Sequence, residues 1–188
     1  MRLHRRIGRG SLIGLAALVA LDGLILGANA LGLRINATAS MPLGVYRVAP
    51  MGQARLVRGT LVAICPTGEA LRVALSRGYL RPGPCRGNVE PLLKRVAAVA
   101  GDAVAVSDAG VRVNGSVLPN SGRVARDCND RPVPRIPAGT YRMPAGTVWL
   151  FAPVARSWDS RYYGPQMISN VVGIATPLLL VGAGRPCG

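Results

Sequence analysis

The run Ser11–Leu33, SLIGLAALVALDGLILGANALGL, carries a single charge, Asp22, in twenty-three residues. At the rise of an α-helix that length reaches about 35 Å, enough to cross a bilayer. It therefore fixes the architecture: a basic N-terminus over 1–10, a transmembrane signal-anchor over 11–33, and everything that folds over 34–188. Arg2, Arg5, Arg6 and Arg9 precede the run, which keeps the N-terminus cytoplasmic and sends the bulk of the chain across. A cleavable signal peptide with Ala28-Asn29-Ala30 as its site competes with this reading, but the apolar run exceeds the usual core of about 7–15 residues. Asp22 in mid-span is costly against lipid. The expected location is a bacterial inner membrane, single-pass, with the folded domain on the periplasmic side.

Four cysteines, Cys65, Cys85, Cys128 and Cys187, suit that oxidising compartment. They allow three pairings, and spacing does not choose among them. Cys65 and Cys85 bracket a helix-like stretch, and no C-x-x-C is present to suggest metal binding or thioredoxin-like redox chemistry.

Beyond residue 33 the chain consists of short Val-rich runs broken by Gly and Pro: Leu43–Val48, Thr60–Ile64, Leu92–Ala100, Ala103–Val106, Val111–Val113, Thr147–Phe151 and Asn170–Thr176. Asn114-Gly115 between two such runs is a hairpin signal. Only Thr67–Arg77 has helical character, with Thr67 as N-cap and Gly78 as stop. The expected fold is mainly β, an antiparallel sheet domain with one short helix, in one piece. Residues 119–138 read as a long loop or flap.

The charge pattern limits the chemistry. The formal charge is +15, yet twenty-two of the twenty-three basic residues are arginine and only Lys94 is lysine. The single histidine, His4, precedes the apolar run, so a Ser-His-Asp or Cys-His hydrolase and a His-built zinc site are excluded. The net charge alone would suggest nucleic acid. It is spread along the exported chain, however, and the span separates it from cytoplasmic DNA; attraction to anionic head groups is a simpler use.

Three segments carry the remaining chemistry: Asn36-Ala37-Thr38-Ala39-Ser40-Met41-Pro42-Leu43-Gly44-Val45-Tyr46, Leu93-Lys94-Arg95-Val96 with Gly101-Asp102, and Ser157-Trp158-Asp159-Ser160-Arg161-Tyr162-Tyr163-Gly164. A serine hydroxyl needs a base. Without histidine a lysine serves only if neutral, which burial promotes; arginine stays charged in that role. Ser40 lies seven residues past Leu33, within about 25 Å of the membrane surface. A bond emerging from the bilayer would be met at that height.

In order and spacing these segments resemble the boxes of the type I signal peptidases, membrane-anchored Ser–Lys proteases. Ser-Met-Pro-x-Gly-x-Tyr from Ser40, Arg77-Gly78-Tyr79-Leu80, Asp108–Gly115 and Asp130–Arg135 are closer to the TraF branch, which matures conjugative pilin. The chain departs from the general leader peptidases in having Thr60 after Arg58-Gly59 and in lacking a Gly-Asp-Asn-Arg-Asp run before the third box.

The resemblance implies Ser40 as nucleophile and Lys94 as general base. Thr38 would assist the oxyanion beside the Ser40 N–H, and Ser157 would hold the lysine. Asp159 would either pair with Arg161 or orient Lys94. Arg95, Gly101, Asp102 and Tyr162 would be structural, and Cys65 and Cys85 would form the branch's disulfide. Its implied partners are a pilin or other secreted precursor, the lipid bilayer and other conjugation components, with no cofactor, metal or nucleic acid. A general signal peptidase and a non-catalytic, anchored assembly factor are the alternatives; the latter would have no need of both Ser40 and Lys94.

Overall fold

The short Val-rich runs become, in the computed structural model, two antiparallel sheets. The structure describes residues 9–185. In chain order the elements are α1 (Arg9–Ala30), β1 (Leu33–Asn36), β2 (Leu43–Ala49), β3 (Leu61–Ile64), α2 (Gly68–Arg77), β4 (Pro82–Cys85), β5 (Leu92–Val99) and β6 (Ala103–Val106). They continue with β7 (Val111–Val113), β8 (Ser116–Val117), β9 (Gly139–Arg142), β10 (Thr147–Phe151), α3 (Ser160–Tyr163), β11 (Gln166–Met167) and β12 (Val171–Gly182). The larger sheet has the order β1-β2-β12-β3-β5-β10-β11 and the smaller one β8-β7-β6-β9.

The domain is mainly β, as expected, with three differences. α1 ends at Ala30 rather than running to residue 33. Gly32 adopts φ +72°, a left-handed turn, and Leu33 already pairs with Arg47 across β1 and β2. Among the described residues no helix is long and apolar enough to cross a membrane. A second folded-domain helix, the single turn α3, joins α2. Finally, Thr67 precedes α2 but makes no side-chain cap; its hydroxyl bonds Gln166 Oε1 at 3.3 Å instead. Gly78 does end α2 in the left-handed conformation at φ +66°.

Asn114 and Gly115, both at positive φ, form the tight hairpin between β7 and β8. Residues 119–138 hold no regular element beyond an isolated bridge between Arg126 and Pro132. Cys65 and Cys85 are disulfide-bonded, clasping α2 between β3 and β4. Cys128 is also disulfide-bonded. Residues 1–8, with His4 and most of the basic N-terminus, and Cys187 lie outside the described residues.

Three apolar clusters hold the fold. α2 packs Val73 and Ala74 with Val62, Val96, Leu150 and Trp158. Val104 and Val111 of the smaller sheet cluster with Ala98 and Trp149 of the larger one. Met41, Tyr46, Leu61 and Ala175 form the third, directly beneath the Ser40 loop. Met41 is therefore a core residue.

Candidate active site

On β5, burial alternates so that Leu92, Lys94, Val96 and Ala98 face inward while Arg95 points out. A strand's period of two thus puts the lone lysine in the core phase. Lys94 sits opposite Val62 of β3, is 2% exposed, and among the described residues makes no hydrogen bond or ion pair. Burial pushes its pKa down to about 8; the nearby Asp159 carboxylate opposes that shift, and the Arg161 guanidinium adds to it. An amine of that kind is substantially neutral near pH 8 and can take a proton from a hydroxyl.

The segment 36–42 is folded around one side chain. The Asn36 amide donates to the carbonyls of Thr38, Met41 and Pro42 at 3.1, 2.9 and 2.9 Å, and its oxygen accepts from the Thr38 hydroxyl at 2.8 Å. Tyr46, buried in the cluster below, donates its hydroxyl to Pro42 O at 2.7 Å. Gly44, at φ +151°, leaves room for Leu179 O of β12, where a Cβ would collide. The Ser-Met-Pro-x-Gly-x-Tyr spacing thus describes a loop braced from three sides. Thr38 Oγ1 and Ser40 Oγ lie 3.3 Å apart. Because the Thr38 proton goes to Asn36, the Ser40 hydroxyl is the donor in that contact.

Ser40, Thr38, Lys94 and Ser157 line one cavity of about 1160 Å³. Ser40 and Lys94 share its wall without a hydrogen bond between them. The Ser157 hydroxyl is buried, has no hydrogen-bond partner among the described residues and does not bond Lys94. Catalytic hydrogen bonds are often loose before substrate binds. No group of three or more His, Cys, Asp or Glu side chains among the described residues could hold a metal ion.

Asp159 is not in the cavity wall. Its oxygens accept from the Ala152 N–H at 3.1 Å, from the Arg161 N–H at 3.2 Å and from the Arg161 guanidinium at 2.8 Å twice, so it caps α3. Of the two roles open to it from sequence, the structure displays the pairing with Arg161; its influence on Lys94 is through charge. Arg161, fully buried, spends its other donors on the carbonyls of Asn120, Gly122, Ala152 and Val154, fastening the flap to the end of β10.

Arg95 reaches Gly59 O at 3.1 Å. Asp102 accepts from the Val99 N–H and the Asn114 amide and pairs with Arg58 at 3.5 Å. Tyr162 bridges Val124 N and Ala155 O. All three hold neighbouring backbone or side chains in place, and Tyr162 also lines the cavity. Sequence reasoning missed Asn36, whose short amide gave no signal beyond its place before the Thr-x-Ser pair. It also missed Arg161 as the hub of the flap.

The sequence model of the family described as "Signal peptidase, peptidase S26" matches residues 7–179. The chain is 41% identical over 178 residues to the "Probable conjugal transfer protein TraF" of Sinorhizobium fredii, covering 94% of this chain and 93% of that one. It is 38% identical over 181 residues to the "Plasmid transfer protein TraF" of Escherichia coli, covering 95% and 98%. With the "Conjugal transfer protein TraF" of Agrobacterium fabrum the identity is 36% over 167 residues, covering 88% and 92%. The crystal structure of a signal peptidase I from Enterococcus faecalis aligns with a TM-score of 0.37 and 19% identity, over 65% of this chain and 97% of that one. With a family match across most of its length, and a cavity walled by a buried lysine and a serine, this chain belongs to the signal peptidase family, peptidase S26, the serine peptidases of signal-peptidase type.

Proposed function

We propose that this chain is a membrane-anchored serine endopeptidase that processes a secreted precursor of a conjugation apparatus, a pilin subunit, with Ser40 as nucleophile and Lys94 as general base. One observation carries the reading: the lone lysine of the chain is buried, holds a pKa of about 8, and shares a cavity wall with Ser40.

Neutral Lys94 Nζ takes the Ser40 proton as Oγ attacks the scissile carbonyl carbon. The resulting oxyanion is met by the Ser40 backbone N–H and by the Thr38 hydroxyl once it turns from Asn36, donors of a kind worth about 3–4 kcal/mol each. The Lys94 ammonium then gives its proton to the departing amine, leaving an acyl-enzyme on Ser40. Water, or the substrate's own N-terminal amine, resolves it, giving a shortened or a cyclic product. The named relatives favour a conjugative substrate over a general precursor.

Two apolar features support attachment to a membrane, and the arginines before the apolar run and the Cys65–Cys85 disulfide favour the periplasmic side. Leu15, Leu18, Leu24 and Leu26 of α1 are 60–70% exposed, an apolar helix that nothing among the described residues covers. Ile35 of β1 and Leu178 to Val181 of β12, the strand paired with β2, are further exposed apolar residues.

Mass spectrometry of a pilin-like precursor co-expressed with this protein tests the reading. Hydrolysis gives a shortened product and cyclisation a product lighter by one further water. An unaltered precursor contradicts the enzyme and favours an assembly role.

A further inference from the structure

The cavity around Ser40 and Lys94 has an unbalanced lining. Five arginines, Arg34, Arg47, Arg77, Arg131 and Arg156, face two carboxylates, Asp127 and Glu90. The imbalance is organised on the flap side. Arg77 and Arg131 both pair with Asp127 Oδ2, at 3.2 and 2.8 Å, so two guanidinium groups share one carboxylate.

The node is rigid. Tyr79 donates its hydroxyl to Asp127 at 2.7 Å, and the Arg131 guanidinium lies over the Tyr79 ring, 5.8 Å from its centre. Arg77 also holds Pro132 O at 2.7 Å. Burial would raise the Asp127 pKa, but hydrogen bonds from Tyr79 and from Arg131 and Asn129 hold it well below the usual carboxylate range. Its charge is therefore constant at working pH, and one positive charge of the node stays unbalanced. Arg156, from the turn before the unpartnered Ser157 hydroxyl, adds a second: its guanidinium donates to Arg126 O at 3.2 Å, and among the described residues no carboxylate pairs with it.

We propose that Arg156, with the Arg77–Asp127–Arg131 node, is a carboxylate-binding site that selects an acidic segment of the peptide substrate. Preorganised guanidinium forks suit carboxylate oxygens, and a concave, partly desolvated site strengthens the attraction. The inference rests on the peptidase reading and names the chemistry of what that peptidase accepts. The carboxylate belongs either to an Asp or Glu side chain or to the substrate's C-terminus.

The test uses the full chain in detergent with alanine-rich fluorogenic peptides. They differ only in one Glu, Gln or Lys near the cleavage site, each as free acid and as C-terminal amide. The expected result is a kcat/KM roughly tenfold higher for Glu than for Lys, or for free acid than for amide, the size of one charge-assisted contact. Arg156→Gln removes that preference while cleavage of the Gln amide peptide changes less than twofold, and added salt weakens it. Which pair shows the preference identifies the source of the carboxylate. Equal rates for all peptides, or an Arg156→Gln loss that is the same for the Gln amide peptide, overturn the site and leave the peptidase standing. Cleavage of none of the peptides contradicts the peptidase reading itself.

Discussion

Asp159 grips Arg161 through two 2.8 Å contacts, Nε to Oδ1 and Nη2 to Oδ2, at a point where neither side chain has any exposed surface. The pair joins two tasks. It fastens the flap to β10 through the Arg161 carbonyl contacts, and it places a negative and a positive charge close to the Lys94 amine.

Asp159→Asn should therefore do two things. It leaves a buried guanidinium without its counter-charge, a loss of about 3–5 kcal/mol in similar cases. It also removes the charge that opposes lowering of the Lys94 pKa, so the acid limb of the rate profile moves to lower pH. Denaturant unfolding and a pH–rate series on the surviving folded enzyme check both. An unchanged limb would mean that Asp159 acts as scaffold alone.

Lys94 titrates at about 8 in the fold against 10.5 as the ordinary value. The folded pKa is the lower one, so the unfolded chain binds more protons between those values and stability rises with pH across that window. Below about pH 8 the buried ammonium costs about 3 kcal/mol, from 1.36 kcal/mol per pKa unit. Lys94→Met should be more stable than the parent at pH 7, and the gap should narrow from pH 8 towards 10.5. A gap independent of pH would show that the amine is not desolvated.

The same titration governs rate. With a base of pKa about 8, kcat/KM should fall roughly tenfold per pH unit below it, to about a hundredth of its plateau at pH 6. A profile flat from pH 6 to 9 would remove Lys94 as the titrating group.

Gly184 lies against the nucleophile loop: a Cβ there would stand 2.7 Å from Ala39 Cα, so either the coil at Gly184 or the backbone beside Ser40 must shift. Gly184→Ala is expected to lower kcat by roughly ten- to a hundredfold, as small misplacements of reacting groups do, with little change in melting temperature. Wild-type turnover would show that the loop absorbs the shift without moving Ser40.

Much of this was legible in the sequence, for identifiable reasons. The β runs, the Asn114-Gly115 turn and the Gly78 stop follow from periodicity and backbone freedom, which are local properties. The inward phase of Lys94 is consistent with Leu92, Val96 and Ala98 in alternation, but Arg95 beside it would satisfy the opposite phase with Leu93 and Ala97; strand pairing decides. The end of α1 was hidden because Leu31 and Leu33 continue the apolar run, although Gly32 turns the chain into β1. Asn36 and Arg161 act through carbonyls distant in sequence or lacking any side-chain signature, so their roles depend on the assembled fold.

The central claim is that Lys94 is a neutral base for Ser40, and arginine is the substitution that tests it, since it is likewise a long basic side chain but does not deprotonate. The measurement is the fraction of precursor converted, by mass, when co-expressed with wild type, Ser40→Ala or Lys94→Arg at matched membrane levels. Conversion by wild type alone is the predicted result. Near-wild-type conversion by Lys94→Arg would contradict the mechanism.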